Sequence, residues 1–183
     1  MPYEFTDQYD RVFNDYYIDP PFCSELLFDK IRFYGVIHDP ACGSGNIVSS
    51  AVNSFYSVTY SDIMDRGSSR ITPLVDYLKD ETIRDNIVTN PPYYLCEEFF
   101  HHAWKHTKYA VALLLTRLAF LEGQKRNKSI FTPFPPTCVL VFSTRPSMPP
   151  PNVTEGGGKT AYCWIIWNKI SGSISTELSW LIR

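Results

Sequence analysis

The chain of 183 residues has no run of eighteen uncharged apolar residues and no basic start leading into an apolar signal core. A membrane-spanning helix and a secretory leader are therefore not expected, and a cytoplasmic location is the expectation. Cysteine is sparse. Cys23, Cys42, Cys96, Cys138 and Cys163 are scattered, odd in number and never spaced as C-x-x-C. That pattern argues against a disulfide framework or a zinc cage, and it leaves the sequons at Asn127 and Asn152 without meaning in a chain that is not secreted. The length is short for a catalytic domain plus a target-recognition domain, and no repeat or linker interrupts it. Residues 1–183 are thus expected to form one domain, with specificity coming from loops or a partner.

Net charge is also small, −2, with 44% hydrophobic and 20% charged residues, as in a globular protein. Its distribution is uneven. Residues 1–100 hold 7 Lys and Arg against 16 Asp and Glu, whereas residues 101–150 hold 7 against 1. A basic segment inside an acidic chain suits a polyanion, and Arg117, Lys125, Arg126 and Lys128 are the candidates for nucleic-acid contact; a solvated basic helix is the competing explanation.

Apolar periodicity predicts a helix over 25–32, a strand over 34–39, a helix over 46–55 and a strand over 57–60. Asp76-Tyr77-Leu78 closes a third short element, and a strand over 86–89 ends where Pro91 and Pro92 forbid its continuation. A helix over 94–105, a continuous apolar strand over 109–115 and a helix over 117–128 follow. Strands alternating with helix-length segments predict βαβ units around a mostly parallel sheet. The last third is strand-like at 137–142 and 161–167, joined by a Pro- and Gly-rich connection over 146–159. This predicts a C-terminal antiparallel hairpin.

Two motifs carry chemistry. Asp39-Pro40-Ala41-Cys42-Gly43-Ser44-Gly45-Asn46 follows a strand and sets small residues where a ligand must approach the main chain, near helix N-terminal amides. The spacing is not that of a G-x-G-x-x-G dinucleotide turn. About twenty residues on, Ser61-Asp62-Ile63 places a carboxylate where it can accept both hydroxyls of a ribose, with Asp65 as a nearby competitor. Asn90-Pro91-Pro92-Tyr93 is the second motif. An exocyclic amine conjugated to a ring is a poor nucleophile, and two acceptors that bind its hydrogens favour the pyramidal, attacking form. The Asn90 side-chain oxygen and the Pro91 carbonyl can be those acceptors, with the prolines fixing their directions. Tyr93 can stack on a base.

In this order and spacing the motifs resemble those of class I amino-methyltransferases dependent on S-adenosylmethionine (SAM), in particular the adenine-N6 type. Leu115 to Arg126, Pro135-Pro136, Val141-Phe142-Ser143 and Thr160 to Trp164 extend the similarity toward small phage and prophage enzymes. The resemblance implies a Rossmann-like α/β fold and SAM as cofactor. It also implies adenine in DNA as substrate and a bacterial host cytoplasm as location. On it, Asp39, Pro40, Ala41, Gly43 and Gly45 form the wall under the SAM amino acid, and Asp62 and Ile63 hold the ribose. Asp76 and Tyr77 meet the adenine, while Tyr16, Asp19 and Pro20 fold over the methionine end, although Asp19-Pro20 replaces the usual threonine-proline. Asn90, Pro91, Pro92 and Tyr93 form the catalytic clamp, with Asn90 also facing the cofactor.

Other readings remain. A base rotated out of a duplex needs a pocket, for which Phe99, Phe120 and Phe131 are candidates. Glu98, His102 and His106 share a helical face, but the reaction needs no metal and none is expected. Gly156-Gly157-Gly158-Lys159-Thr160 mimics the end of a phosphate-binding loop, yet Val153 stands where that pattern requires glycine. RNA adenine, a protein glutamine, and a catalytically silent SAM or nucleic-acid binder are the alternatives to DNA adenine.

Overall fold

A computed structural model describes residues 16–66, 73–116, 120–149, 160–172 and 175–183. Among them, seven strands form one sheet in the order β2-β1-β3-β4-β6-β5-β7. The strands are β1 (Ile37–Asp39), β2 (Val58–Tyr60), β3 (Arg84–Thr89), β4 (Thr107–Thr116), β5 (Cys138–Phe142), β6 (Tyr162–Asn168) and β7 (Glu177–Leu181). β2, β1, β3 and β4 run parallel, β6 is antiparallel to both β4 and β5, and β7 is parallel to β5. The mostly parallel α/β sheet with an antiparallel β5–β6 pair is therefore present.

Three helices matter for placement: α1 (Pro21–Lys30), α2 (Asn46–Asn53) and α3 (Cys96–His106). α1 begins four residues earlier than the periodicity predicts. Pro20 and Pro21 account for this, because proline at the first helical position gives up an amide that has no helical partner. β1 starts three residues later than expected, since Gly35 turns the chain with φ +80° before it. The predicted helix over 117–128 is instead broken among the described residues into an α-turn at Gln124–Arg126 and a π-turn at Asn127–Phe131. Asp76 leads into a single 3-10 turn, Tyr77–Lys79.

The continuous apolar run of β4 is explained by burial on both faces. Ala110, Ala112 and Leu114 join Leu27, Phe28, Ile47 and Ala51 on the α1–α2 side, whereas Val111, Leu113 and Leu115 join Phe99, Phe100 and Ala103 on the α3 side. On β6 the tryptophans divide in the same way. The indole N–H of Trp164 donates to the Cys23 carbonyl at 2.8 Å, and that of Trp167 to the Phe134 carbonyl at 2.9 Å. α3 runs straight into β4, and the Lys169 ammonium ties that corner by donating to the carbonyls of Trp104 and Thr107. No helix among the described residues is long and apolar enough to cross a membrane.

Trp164 is fully buried and its N–H has a fixed acceptor. Trp164→Phe should therefore lower unfolding free energy by about 2 to 4 kcal/mol, from the lost volume and the unpaired Cys23 carbonyl. Urea denaturation reads this directly, and an unchanged midpoint would contradict the packing described.

Candidate active site

The chain passes from β1 outward to β2, and from β3 in the other direction to β4, so the sheet order reverses between β1 and β3. In such sheets the crevice beyond the carboxyl ends at the reversal is the natural ligand site. Both sequence motifs sit there. Asp39 ends β1, Asp62 lies two residues past β2, and Asn90 follows the last residue of β3.

The glycine turn is joined to the end of β2. Ser61 N–H donates to the Asp39 carbonyl at 3.0 Å, and Cys42 N–H donates to the Ser61 carbonyl at 3.1 Å. Asp62 completes the join by accepting the Gly43 amide at 2.9 Å on one oxygen and the Met64 amide at 3.0 Å on the other. Gly43 (φ +51°) and Gly45 (φ +86°) both occupy left-handed backbone, which favours glycine. A Cβ on Gly43 would lie 2.8 Å from the Tyr16 ring, so the turn also makes room for the N-terminal segment. That segment is held by the Asn46 amide, which donates to the Asp19 carbonyl at 2.6 Å.

A cleft open to solvent occupies the reversal point. Of the residues singled out by sequence, Tyr16, Asp19, Pro40, Ala41, Asp62, Ile63, Asp76, Tyr77, Asn90 and Pro92 line it. Pro20, Asp39, Gly43, Gly45, Pro91 and Tyr93 are not part of the lining. Phe99 also lines the cleft, while Phe120 is core and Phe131 is half-buried. Tyr17, Arg66, Leu78, Tyr94 and Leu95 complete the wall and were not anticipated. No local pattern marks Arg66. Its guanidinium lies 4.5 Å from the centre of the Tyr16 ring and 3.6 Å from an Asp62 oxygen.

The electrostatics of the site are dominated by buried acids. Burial pushes the Asp39 carboxyl up to about 8, a rise that the Thr89 hydroxyl and the Ala41 amide oppose only in part. Burial likewise pushes Asp19 up to about 6, against the Asn90 amide. One oxygen of each, Oδ2, has no hydrogen-bond partner. Asp76 is half-exposed and pairs with Lys79 at 2.9 Å. A wall of this kind suits a cation carrying hydrogen-bond donors, because such a ligand satisfies the orphaned Asp19 oxygen, which otherwise costs free energy.

On the other side of Asn90, the clamp is engaged internally. The Tyr93 hydroxyl donates to Asn90 Oδ1 at 3.0 Å, and Asn90 Nδ2 donates to the Tyr17 carbonyl at 3.5 Å. The Tyr93 ring lies parallel to that of Tyr17 with centroids 6.1 Å apart, and tilted against Tyr162 at 5.9 Å. Met148 Sδ is 3.5 Å from the same hydroxyl. Tyr17, Met148 and Tyr162 were likewise not anticipated around the motif.

Of the basic candidates, Lys125 and Lys128 are exposed. Arg126 is held within the fold, donating to the carbonyls of Phe120 and Glu122 and pairing with Glu97 at 3.4 Å. Arg117 and the glycine-lysine stretch 156–159 lie outside the described residues. His102 and His106 take local roles: a His102 ring nitrogen meets the Asp80 carbonyl at 2.9 Å, and a His106 ring nitrogen meets the His102 carbonyl at 3.0 Å.

No protein-family model matches the chain, and no curated protein matches it. Solved structures do. The type I restriction-modification methyltransferase subunit from Streptococcus thermophilus aligns with a TM-score of 0.64 at 13% identity, over 89% of this chain and 47% of that one. A Pyrococcus horikoshii protein assigned as an RNA methyltransferase aligns at 0.65 and 15% identity, over 88% and 91%. A SAM-dependent O-methyltransferase from Thermotoga maritima aligns at 0.56 and 17%, over 87% and 69%. The chain thus spans about half the length of the restriction-modification subunit. At these identities the likeness shows the fold alone, the Rossmann-like mixed α/β sheet that these structures share.

The buried acids give the site a pH signature. Asp39 and Asp19 have folded pKa values above their ordinary 3.8. Their stabilising, protonated state is therefore complete below about pH 4 and lost as pH rises through about 6 for Asp19 and about 8 for Asp39. Thermal unfolding of the ligand-free protein should show a fall in Tm across that window, and Asp39→Asn should flatten its upper part. Equal slopes in the two proteins would contradict the assigned cause.

Proposed function

We propose that this chain is a SAM-dependent methyltransferase acting on the exocyclic N6 amine of adenine in DNA. One observation carries the reading: the Asn90 carboxamide stands in the wall of the acid-lined cleft at the sheet's reversal point, beside the orphaned oxygen of Asp19. SAM is a sulfonium with an ammonium group, and a wall holding Asp19, Asp62 and Asp76 matches its charge and donors. When bound, it would supply an electrophilic methyl group.

The residues then divide the work. Asp19 is set to hold the cationic amino-acid end, and the Tyr16 ring, which fills the space over Gly43, borders that end of the cleft. Asp62, whose two oxygens each have a lone pair beyond the amide they accept, is placed for the ribose hydroxyls. Asp76, Tyr77 and Ile63 are placed for the adenosine ring. Asp39 acts behind this wall, shaping the field rather than touching the ligand.

On the reacting side, the Tyr93 hydroxyl fixes the direction of Asn90 Oδ1, and the second lone pair of that oxygen is available to an amine hydrogen. The Pro91 carbonyl accepts the other. Held this way, the nitrogen lone pair leaves the ring plane and points toward the methyl donor, and the proton departs after alkylation without a general base. A base stacked on Tyr93 takes the face that Tyr17 now covers, so binding moves the Tyr17 ring aside. Fixed acceptors of this kind save reorganisation at the moment of reaction.

DNA is favoured over protein by the basic stretch that includes exposed Lys125 and Lys128, which suits phosphate. RNA adenine is the second reading, supported by the Pyrococcus horikoshii neighbour, and glutamine the third, because an Asn-Pro-Pro-Tyr clamp grips a carboxamide equally well. Incubation with methyl-labelled SAM and, separately, DNA, RNA and cell extract, followed by digestion of the labelled polymer, should yield N6-methyladenine from DNA. Asn90→Ala should abolish at least about 99% of that transfer while leaving SAM affinity within a few-fold of the parent. Label in protein alone, or full activity in Asn90→Ala, would overturn the reading.

A further inference from the structure

The sheet ends at β7, and among the described residues nothing pairs with its outer side. Long apolar edge strands are a hazard that folds usually blunt with lysine, proline or a bulge. β7 carries none of these. Leu178 and Trp180 on it and Ile182 just past its end alternate with 56%, 56% and 76% of their surfaces exposed, while Leu181 on the opposite face is buried. At the other end of the sheet, by contrast, β2 is only three residues long.

The backbone of β7 is committed on one side alone. Glu177 N–H donates to the Thr137 carbonyl and the Leu181 carbonyl accepts from Ser143 N–H, both at 2.9 Å. Odd-numbered residues thus bond to β5, and the main-chain groups of Leu178, Trp180 and Ile182 point to the open edge.

We propose that a second copy of this chain docks here, pairing β7 with β7 antiparallel about a two-fold axis at Trp180. This register matches hydrogen-bonding positions to hydrogen-bonding positions: Trp180 faces its own counterpart, and Leu178 faces Ile182 of the second copy. It also matches charge. Glu177 falls opposite Arg183 of the second copy at both ends of the ladder, on the face where the Arg183 guanidinium now lies 4.6 Å from the Phe22 ring centre. Shifting the register by two residues keeps the hydrogen bonds but separates the charges and sets Glu177 opposite an apolar side chain. The strand is therefore self-complementary in one register, as a two-fold interface requires, and pairing extends the sheet across both copies.

Sedimentation equilibrium of the full chain tests this. A concentration-dependent species of twice 21.1 kDa is expected. Trp180→Lys should weaken the association at least about tenfold, as loss of a central aromatic anchor does. Glu177→Arg and Arg183→Glu should each weaken it, and the double exchange should restore it. A wild-type protein that stays at the single-chain mass overturns the proposal, as does a dimer indifferent to Trp180→Lys. A double exchange no tighter than either single change also overturns it, and that arm decides independently of how Trp180→Lys folds.

Discussion

Carboxylate oxygens taken out of water without a partner cost free energy, and this fold keeps two of them, Asp19 Oδ2 in the cleft wall and Asp39 Oδ2 behind it. Their protons are retained well above the ordinary carboxylate range because burial disfavours the charge. Such a cluster is poorly explained as a device for stability, since apolar residues of similar size would avoid the penalty. On the proposed reading its member in the cleft wall, Asp19, awaits a cation. The geometry around it follows from that single constraint.

Asp62 links the constraint to the architecture. Its carboxylate bridges the end of β2 to the Gly43 amide, so the acid that faces the cleft also fixes the turn that forms the cleft's floor. The N-terminal segment then lies across the turn, with Tyr16 against Gly43 and Asp19 tied to Asn46. On the proposed reading, cofactor wall and reacting clamp meet at Asn90, one residue past β3, where strand geometry ends and the two prolines set the direction of the chain. The ends of parallel strands position the site.

The parts legible in the sequence are those whose chemistry is local. The run of β4 reads as a strand because both its faces are buried, and the glycine turn and Asn90-Pro91-Pro92-Tyr93 declare themselves by residue type and spacing. What joins them was not legible. The Asn90 contact to Tyr17 spans 73 residues and the Tyr93 contact to Met148 spans 55, so no window along the chain contains either pair. Arg66 enters the cleft wall from an irregular loop with no periodicity to announce it. β7 escaped notice because the alternation of Glu177-Leu178-Ser179-Trp180 is short and the adjacent Leu181 and Ile182 interrupt it. The helix expected over 117–128 failed at Gly123, where φ is +116° and the Arg126 guanidinium folds back on the Phe120 and Glu122 carbonyls.

On the proposed reading, the buried acid of the cleft wall, Asp19, gives up its proton when a cationic cofactor arrives. Calorimetric titration of SAM into the protein at about pH 6, repeated in buffers of different ionisation enthalpy, measures that event. Saturable binding with net proton release is the result the account predicts. Binding without proton release, or no binding, would contradict it.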